Sequence, residues 1–205
     1  PPSQAGSVPQ PPVTSSDGTG SSSGGGAVSA LGPTQGADAS AQLPEKPEPY
    51  DFSQPVPEGE PVENSYFDDA AFVGDSRTDG LMIYSGIKTG KNLTSNGLSI
   101  FVLAEKKALT IGGEKYTLLE ALALEEYGKV YLSLGVNELG IYRDNAFYES
   151  YCDAIDQIRR VQPNAIIYVQ GLIPLNEKQI EDYNGNKYNL TNDHLRVYND
   201  LMRKA

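Results

Sequence analysis

The feature that most restricts this chain is an alternation that sets in near residue 70, where short apolar runs take turns with segments of helical spacing. "AAFVG" (70–74), "GLSIFVL" (97–103), "KVYLSLG" (129–135) and "AIIYVQG" (165–171) have the length and flanks of buried strands. After the first of them, "RTDGLMIYSGI" carries Leu81, Ile83 and Tyr84 at helical spacing, with Gly86 as a stop. "TLLEALALEEYG" (117–128) opens on Thr117, completes a capping box with Glu120 and ends on Gly128. "NAFYESYCDAIDQIRRVQ" (145–162) spaces Phe147, Tyr151, Ile155 and Ile158 along one helical face before Pro163 and Asn164 stop it, and a last helix opens at Thr191 or Asn192. Strands that are apolar on both faces and alternate with helices predict an α/β fold, a parallel sheet covered on both sides.

Residues 1–64 belong to a different regime. Pro, Gly, Ser, Ala, Gln and Thr dominate them, and Tyr50 and Phe52 are their only aromatics. Such a stretch buries too little apolar surface to offset its ordering entropy, so it reads as a disordered linker ahead of a domain over 65–205. The linker carries eight acidic side chains against Lys46 alone, a net −7 of the chain's −11. The domain is therefore mildly acidic, without a basic patch to suggest nucleic acid or an anionic membrane surface. No run reaches transmembrane length. The chain opens on Pro1-Pro2 without methionine, which reads as the loss of an upstream segment. A tether of this composition predicts an extracellular or envelope-attached protein. The one cysteine, Cys152, cannot form an internal disulfide and reads as helix packing. His and Cys are too scarce for a metal site of the usual kinds, and no metal or cofactor is expected.

In open parallel sheets, ligands bind beyond the carboxyl ends of the strands, and the polar residues that stand out here sit at those ends. The first run ends in Gly74-Asp75-Ser76 and the third in Gly135-Val136-Asn137-Glu138, while Asn96-Gly97 stands at the entry to the second. Each has a bland explanation: a helix cap for Asp-Ser, a turn for Asn137, a tight bend for Gly97. Taken together they are more specific, because strands one and three are neighbours in a doubly wound sheet, and their loops converge on one crevice.

"VGDSR", then "NGLS", then "LGVNELG" resembles the SGNH, or GDSL-type, hydrolase superfamily over residues 65–205, and in particular a secreted bacterial subgroup of it. The resemblance implies a flavodoxin-like three-layer α/β/α sandwich. It also implies a serine nucleophile at Ser76, with oxyanion donors at the Gly97 amide and the Asn137 side chain. Glu138 stands where aspartate is commoner. The family's base is a histidine in an Asp-x-x-His block after the fifth strand. The only histidine here, His194, is preceded directly by Asp193 and lies in an earlier helix. It reads as a partly exposed helix residue, and the fifth strand, last helix and base are expected beyond Ala205. On this reading the parent is a serine ester hydrolase, its substrate a small acyl ester such as an acetylated carbohydrate, and a monomer is expected. The alternatives are an O-acyltransferase using the same serine and a non-catalytic carbohydrate-binding or scaffolding domain.

Overall fold

The computed structural model describes residues 51–205. Most of the linker expectation, over residues 1–50, lies outside the described residues. Residues 51–63 are exposed and, apart from a bend at 52–54, irregular; regular structure begins with a 3₁₀ turn at Asn64–Phe67. The described residues form strands β1 (Ala70–Gly74), β2 (Lys91–Thr94), β3 (Leu109–Ile111), β4 (Glu114–Tyr116), β5 (Lys129–Ser133) and β6 (Ile166–Val169). The helices are α1 (Ser76–Tyr84), α2 (Leu118–Leu122), α3 (Asp144–Val161), α4 (Glu177–Asn184) and α5 (Asn192–Lys204).

The main sheet runs β2-β1-β5-β6, parallel throughout, with Phe72 in register with Tyr131 and Tyr131 with Tyr168. Alternation along the strands divides its faces. Ala71, Val73, Leu93, Val130 and Leu132 join Phe147, Tyr151 and Ile158 of α3 and Leu195, Tyr198 and Met202 of α5 in one core. Each large apolar side chain buried there contributes about 1.5–3 kcal/mol by its removal from water. On the opposite face Phe72 stacks on Tyr131 (4.9 Å between ring centres, 9° between planes), and Tyr131 stacks on Tyr168 (4.9 Å, 12°). Phe67 closes over the Phe72 and Tyr131 rings, and α1 is tied to this face through Asp79, which accepts from Asn92 Nδ2 at 2.8 Å. The result is an α/β three-layer fold with a central parallel sheet.

Counting the main-sheet strands alone, their order is 2-1-3-4, which matches the first four strands of a doubly wound 2-1-3-4-5 arrangement, whose switch point falls between its first and third strands. Here those strands are β1 and β5, which pair directly.

Two expectations about elements are corrected. The second strand is Lys91–Thr94, not residues 97–103. As an edge strand it buries only Leu93, while Asn92 and Thr94 on its other face bond to Asp79 and to each other. One apolar residue in four leaves no periodicity to read. The 97–103 run is instead a turn followed by a 3₁₀ helix at Ile100–Val102, capped by Ser99. Its buried residues Leu98, Ile100 and Leu103 are spaced two and three apart, which suits a tightening coil better than a strand. The helix begun at Thr117 has its full capping box with Glu120 but stops at Leu122, well before Gly128. Buried Gln162 explains the stop: its Nε2 donates to the carbonyls of Leu122 and Glu125, and its Oε1 accepts from Tyr127 N–H. Carbonyls that would continue a helix are satisfied there by a side chain.

Helix α1 forms as its spacing predicts, yet Leu81, Ile83 and Tyr84 are exposed, and Thr78 is its only buried residue. Cys152 is half-buried on α3. Two elements escaped the sequence reading. One is the β3–β4 hairpin, closed by Gly112-Gly113 with both residues at positive φ. The other is α4, which buries no residue. Among the described residues no helix is long and apolar enough to cross a membrane.

Candidate active site

The end of β1 is closely packed. A Cβ on Gly74 would overlap Thr78 Oγ1 and fall 2.7 Å from the Ser133 carbonyl oxygen, so only glycine lets α1 and β5 close in together here. Asp75 follows in extended conformation and caps α1, its Oδ1 accepting from Arg77 N–H at 2.9 Å and its carbonyl from Asp79 N–H at 3.1 Å. The cap sets Ser76 at the first helical position, exposed at the carboxyl end of the central strand. Neither the Ser76 hydroxyl nor its N–H has a partner among the described residues.

The turn after β2 hangs from this point. Ser95 N–H donates to the Gly74 carbonyl at 3.1 Å and Leu98 N–H to the Ser95 carbonyl at 3.0 Å. Gly97 takes φ +68° within it, a left-handed conformation that glycine adopts without cost. The space around it is open, and its N–H also has no partner among the described residues.

The third segment is the loop after β5. Asn137 Nδ2 donates to the Leu98 carbonyl at 2.9 Å and, more weakly, to Asp75 Oδ2 at 3.4 Å. One amide thus spans the segments after β1, β2 and β5. Ser76, Gly97 and Asn137, each proposed from the sequence as a site residue, therefore sit on three segments that the structure joins at one end of the sheet.

Glu138 is the residue whose weight the sequence reading missed. Its side chain is completely buried, Oε1 accepting from Ile100 N–H at 2.6 Å while Oε2 has no partner. Burial pushes its carboxyl group above the usual range, and the nearby Asp75 carboxylate adds to the rise; the Ser99 hydroxyl and the Ile100 N–H work in the other direction. Arg77 Nε stands 3.8 Å from Asp75 Oδ1 and makes no hydrogen bond. The only signal in the sequence was an acid directly after the strand-end asparagine.

His194 corrects the expectation of a partly exposed residue: it is 5 % exposed. Its Nδ1 meets the Leu139 carbonyl, its Nε2 lies 2.7 Å from Asp144 Oδ1, and its ring stacks on Tyr142 at 4.0 Å. One nitrogen faces the Leu139 carbonyl in the loop and the other Asp144 at the start of α3, so the ring is occupied in holding the 137–144 loop. Tyr142 itself has φ +55°, unusual for a residue with a side chain, and the stack helps to hold it there. Tyr198 completes the clamp, its hydroxyl donating to the Glu138 carbonyl at 3.1 Å.

Among the described residues no group of three or more His, Cys, Asp or Glu is placed to hold a metal ion. A cavity of about 310 Å³ lined by Tyr127, Gln162 and Asn164 lies at the opposite, amino end of the sheet. No protein-family model matches this chain, and no curated protein matches it.

Proposed function

We propose that the crevice at the carboxyl ends of β1 and β5 is the active site of a serine ester hydrolase, with Ser76 as nucleophile. The observation that carries this reading is the Asn137 amide, which bonds to Leu98 and approaches Asp75 and so gathers the Ser76, Gly97 and Asn137 segments into one place. Ester cleavage passes through a tetrahedral oxyanion, and each preorganised donor aimed at it contributes about 10²–10³ in rate. The unpartnered N–H groups of Ser76 and Gly97 and the Asn137 amide are the donors in this reading. Their location at the switch point of a doubly wound sheet suits substrate binding. Ser76 needs a general base to attack. His194 is not assigned that role, because Leu139 and Asp144 occupy its ring nitrogens. The substrate class, small acyl esters of carbohydrate outside the cell or in its envelope, follows from the resemblance of "VGDSR" and "LGVNELG" to the SGNH hydrolases.

The engagement of the one histidine favours a second reading, a carbohydrate-binding domain that uses the same crevice without turnover. A serine-directed fluorophosphonate separates the two. Labelling that disappears in Ser76→Ala supports the hydrolase. Labelling that survives the substitution overturns the assignment. A protein that binds acetylated oligosaccharide but takes no label supports the binding domain.

A further inference from the structure

We propose that Glu138 is a positioning residue that locks the turn bearing Gly97 to the loop bearing Asn137, and thereby fixes the spacing of two oxyanion donors. The role rests on the hydrolase reading above, and it begins from geometry. Asn137 and Glu138 are consecutive and face different ways across the same gap. Asn137 reaches the Leu98 carbonyl at 2.9 Å, and Glu138 reaches the Ile100 N–H at 2.6 Å. The loop after β5 thus grips the segment after β2 at two points two residues apart, once as donor and once as acceptor. Such a two-point grip resists both sliding and rotation of the turn that presents Gly97, whereas one bond would leave it a hinge.

The cost of this arrangement argues that position, not stability, is what it secures. Glu138 is fully buried, and Oε2 has no partner. An apolar side chain of similar size would avoid the desolvation of a carboxyl group. The titratable groups that interact with it are Asp75 from the end of β1, Tyr151 from α3 and Tyr198 from α5, with the Ser99 hydroxyl next to Ile100. None of these is cationic, and Arg77 lies against Asp75. A neutral carboxyl group fits these surroundings; an ionised one would repel Asp75.

The test compares the complete protein with its Glu138→Gln and Glu138→Leu variants by amide hydrogen exchange at Ile100, the Ile100 amide shift across pH, and the rate of fluorophosphonate labelling at Ser76. Glutamine keeps an acceptor for Ile100 and cannot ionise; leucine keeps the volume and removes the acceptor. The expected result is that Glu138→Leu exchanges Ile100 at least ~10-fold faster and labels Ser76 at least ~10-fold more slowly. Glu138→Gln is expected to restore both, with an Ile100 shift that no longer titrates. Ile100 protection unchanged in Glu138→Leu overturns the proposal. So does unchanged labelling in a variant whose Ile100 has come loose. Wild type that never labels, with Ile100 still dependent on residue 138, retires the hydrolase reading while leaving the grip between the two loops in force.

Discussion

The Asn137 side chain donates to the Leu98 carbonyl at 2.9 Å, so a residue after one strand holds the backbone after a strand that is not its neighbour in the sheet. β1 lies between β5 and β2, and the contact passes over the end of β1, where Ser76 emerges. A donor in that position can serve substrate as well as structure, because an oxyanion at Ser76 would compete for the hydrogen now spent on the long contact to Asp75.

Asn137→Ala separates these two uses. As one hydrogen bond among many, the amide is worth about 1 kcal/mol of stability. As an oxyanion donor it is worth about 10²–10³ in rate. The expected outcome is a small fall in melting temperature with a large fall in the rate of Ser76 phosphonylation. A purely structural asparagine would give equal, modest changes in both, and calorimetry alongside timed labelling reads the difference.

His194→Ala is expected to act in the opposite sense. The substitution leaves the Leu139 carbonyl without its ring partner, removes the Asp144 contact, and takes away a ring stacked on Tyr142 and tilted against Tyr198. Loss of a buried, doubly bonded aromatic of this kind costs about 2–4 kcal/mol. Chemical denaturation should register that loss as a lower midpoint. At a temperature where the variant remains folded, Ser76 labelling should persist within a few-fold of wild type. Labelling abolished in a folded variant would make His194 the base and overturn its structural role.

The difference between these two residues also shows what could be read from the sequence. The parallel sheet, the long α3 and the opening of α5 at Thr191 were legible because each is long or carries a cap whose chemistry is local. The strand-end positions of Ser76 and Asn137 were legible for the same reason. What failed was set by distant contacts. β2 hides because one buried leucine serves an edge strand, and α2 ends early because Gln162, about forty residues on, satisfies its carbonyls. His194 looked exposed because its partners, Leu139 and Asp144, lie some fifty residues back in the chain. Glu138 was unreadable because its partner Ile100 sits in a segment that the apolar pattern assigned to a strand.

Gly74→Ala tests the close approach under the serine. The added methyl would overlap Thr78 Oγ1 and press on the Ser133 carbonyl, and the backbone of β5 cannot retreat without opening the sheet. Overpacking of this kind costs about 1–3 kcal/mol, and more where backbone must move. Gly74→Ala combined with Thr78→Ala relieves the hydroxyl overlap alone. It is expected to recover part of the lost stability in thermal melts and not all of it. Full recovery would mean that neither the Ser133 carbonyl nor the remaining Cβ of residue 78 is a real constraint.

The buried carboxyl group of Glu138 makes stability depend on pH in a definite sense. Burial raises its pKa above the ordinary 4.5, with the Asp75 carboxylate adding to the rise. The folded protein therefore holds this proton to higher pH than the unfolded chain does. Its contribution is complete below the unfolded value, shrinks as pH rises through the folded value, and is gone once both states are ionised. Glu138→Gln is neutral throughout and keeps an acceptor for Ile100, so it removes this loss. The melting temperature of Glu138→Gln relative to wild type should climb as pH is raised from about 4 towards 8, against an unfolded glutamate near 4.3. The difference should be smallest at the acid end, where both side chains are uncharged. A difference that stays flat across this range would mean that folding leaves this carboxyl group's titration unchanged, and one that falls with rising pH would mean that the folded state stabilises the ionised carboxylate instead. The bond from Ile100 N–H to Glu138 Oε1 would then be charge-assisted in the folded state.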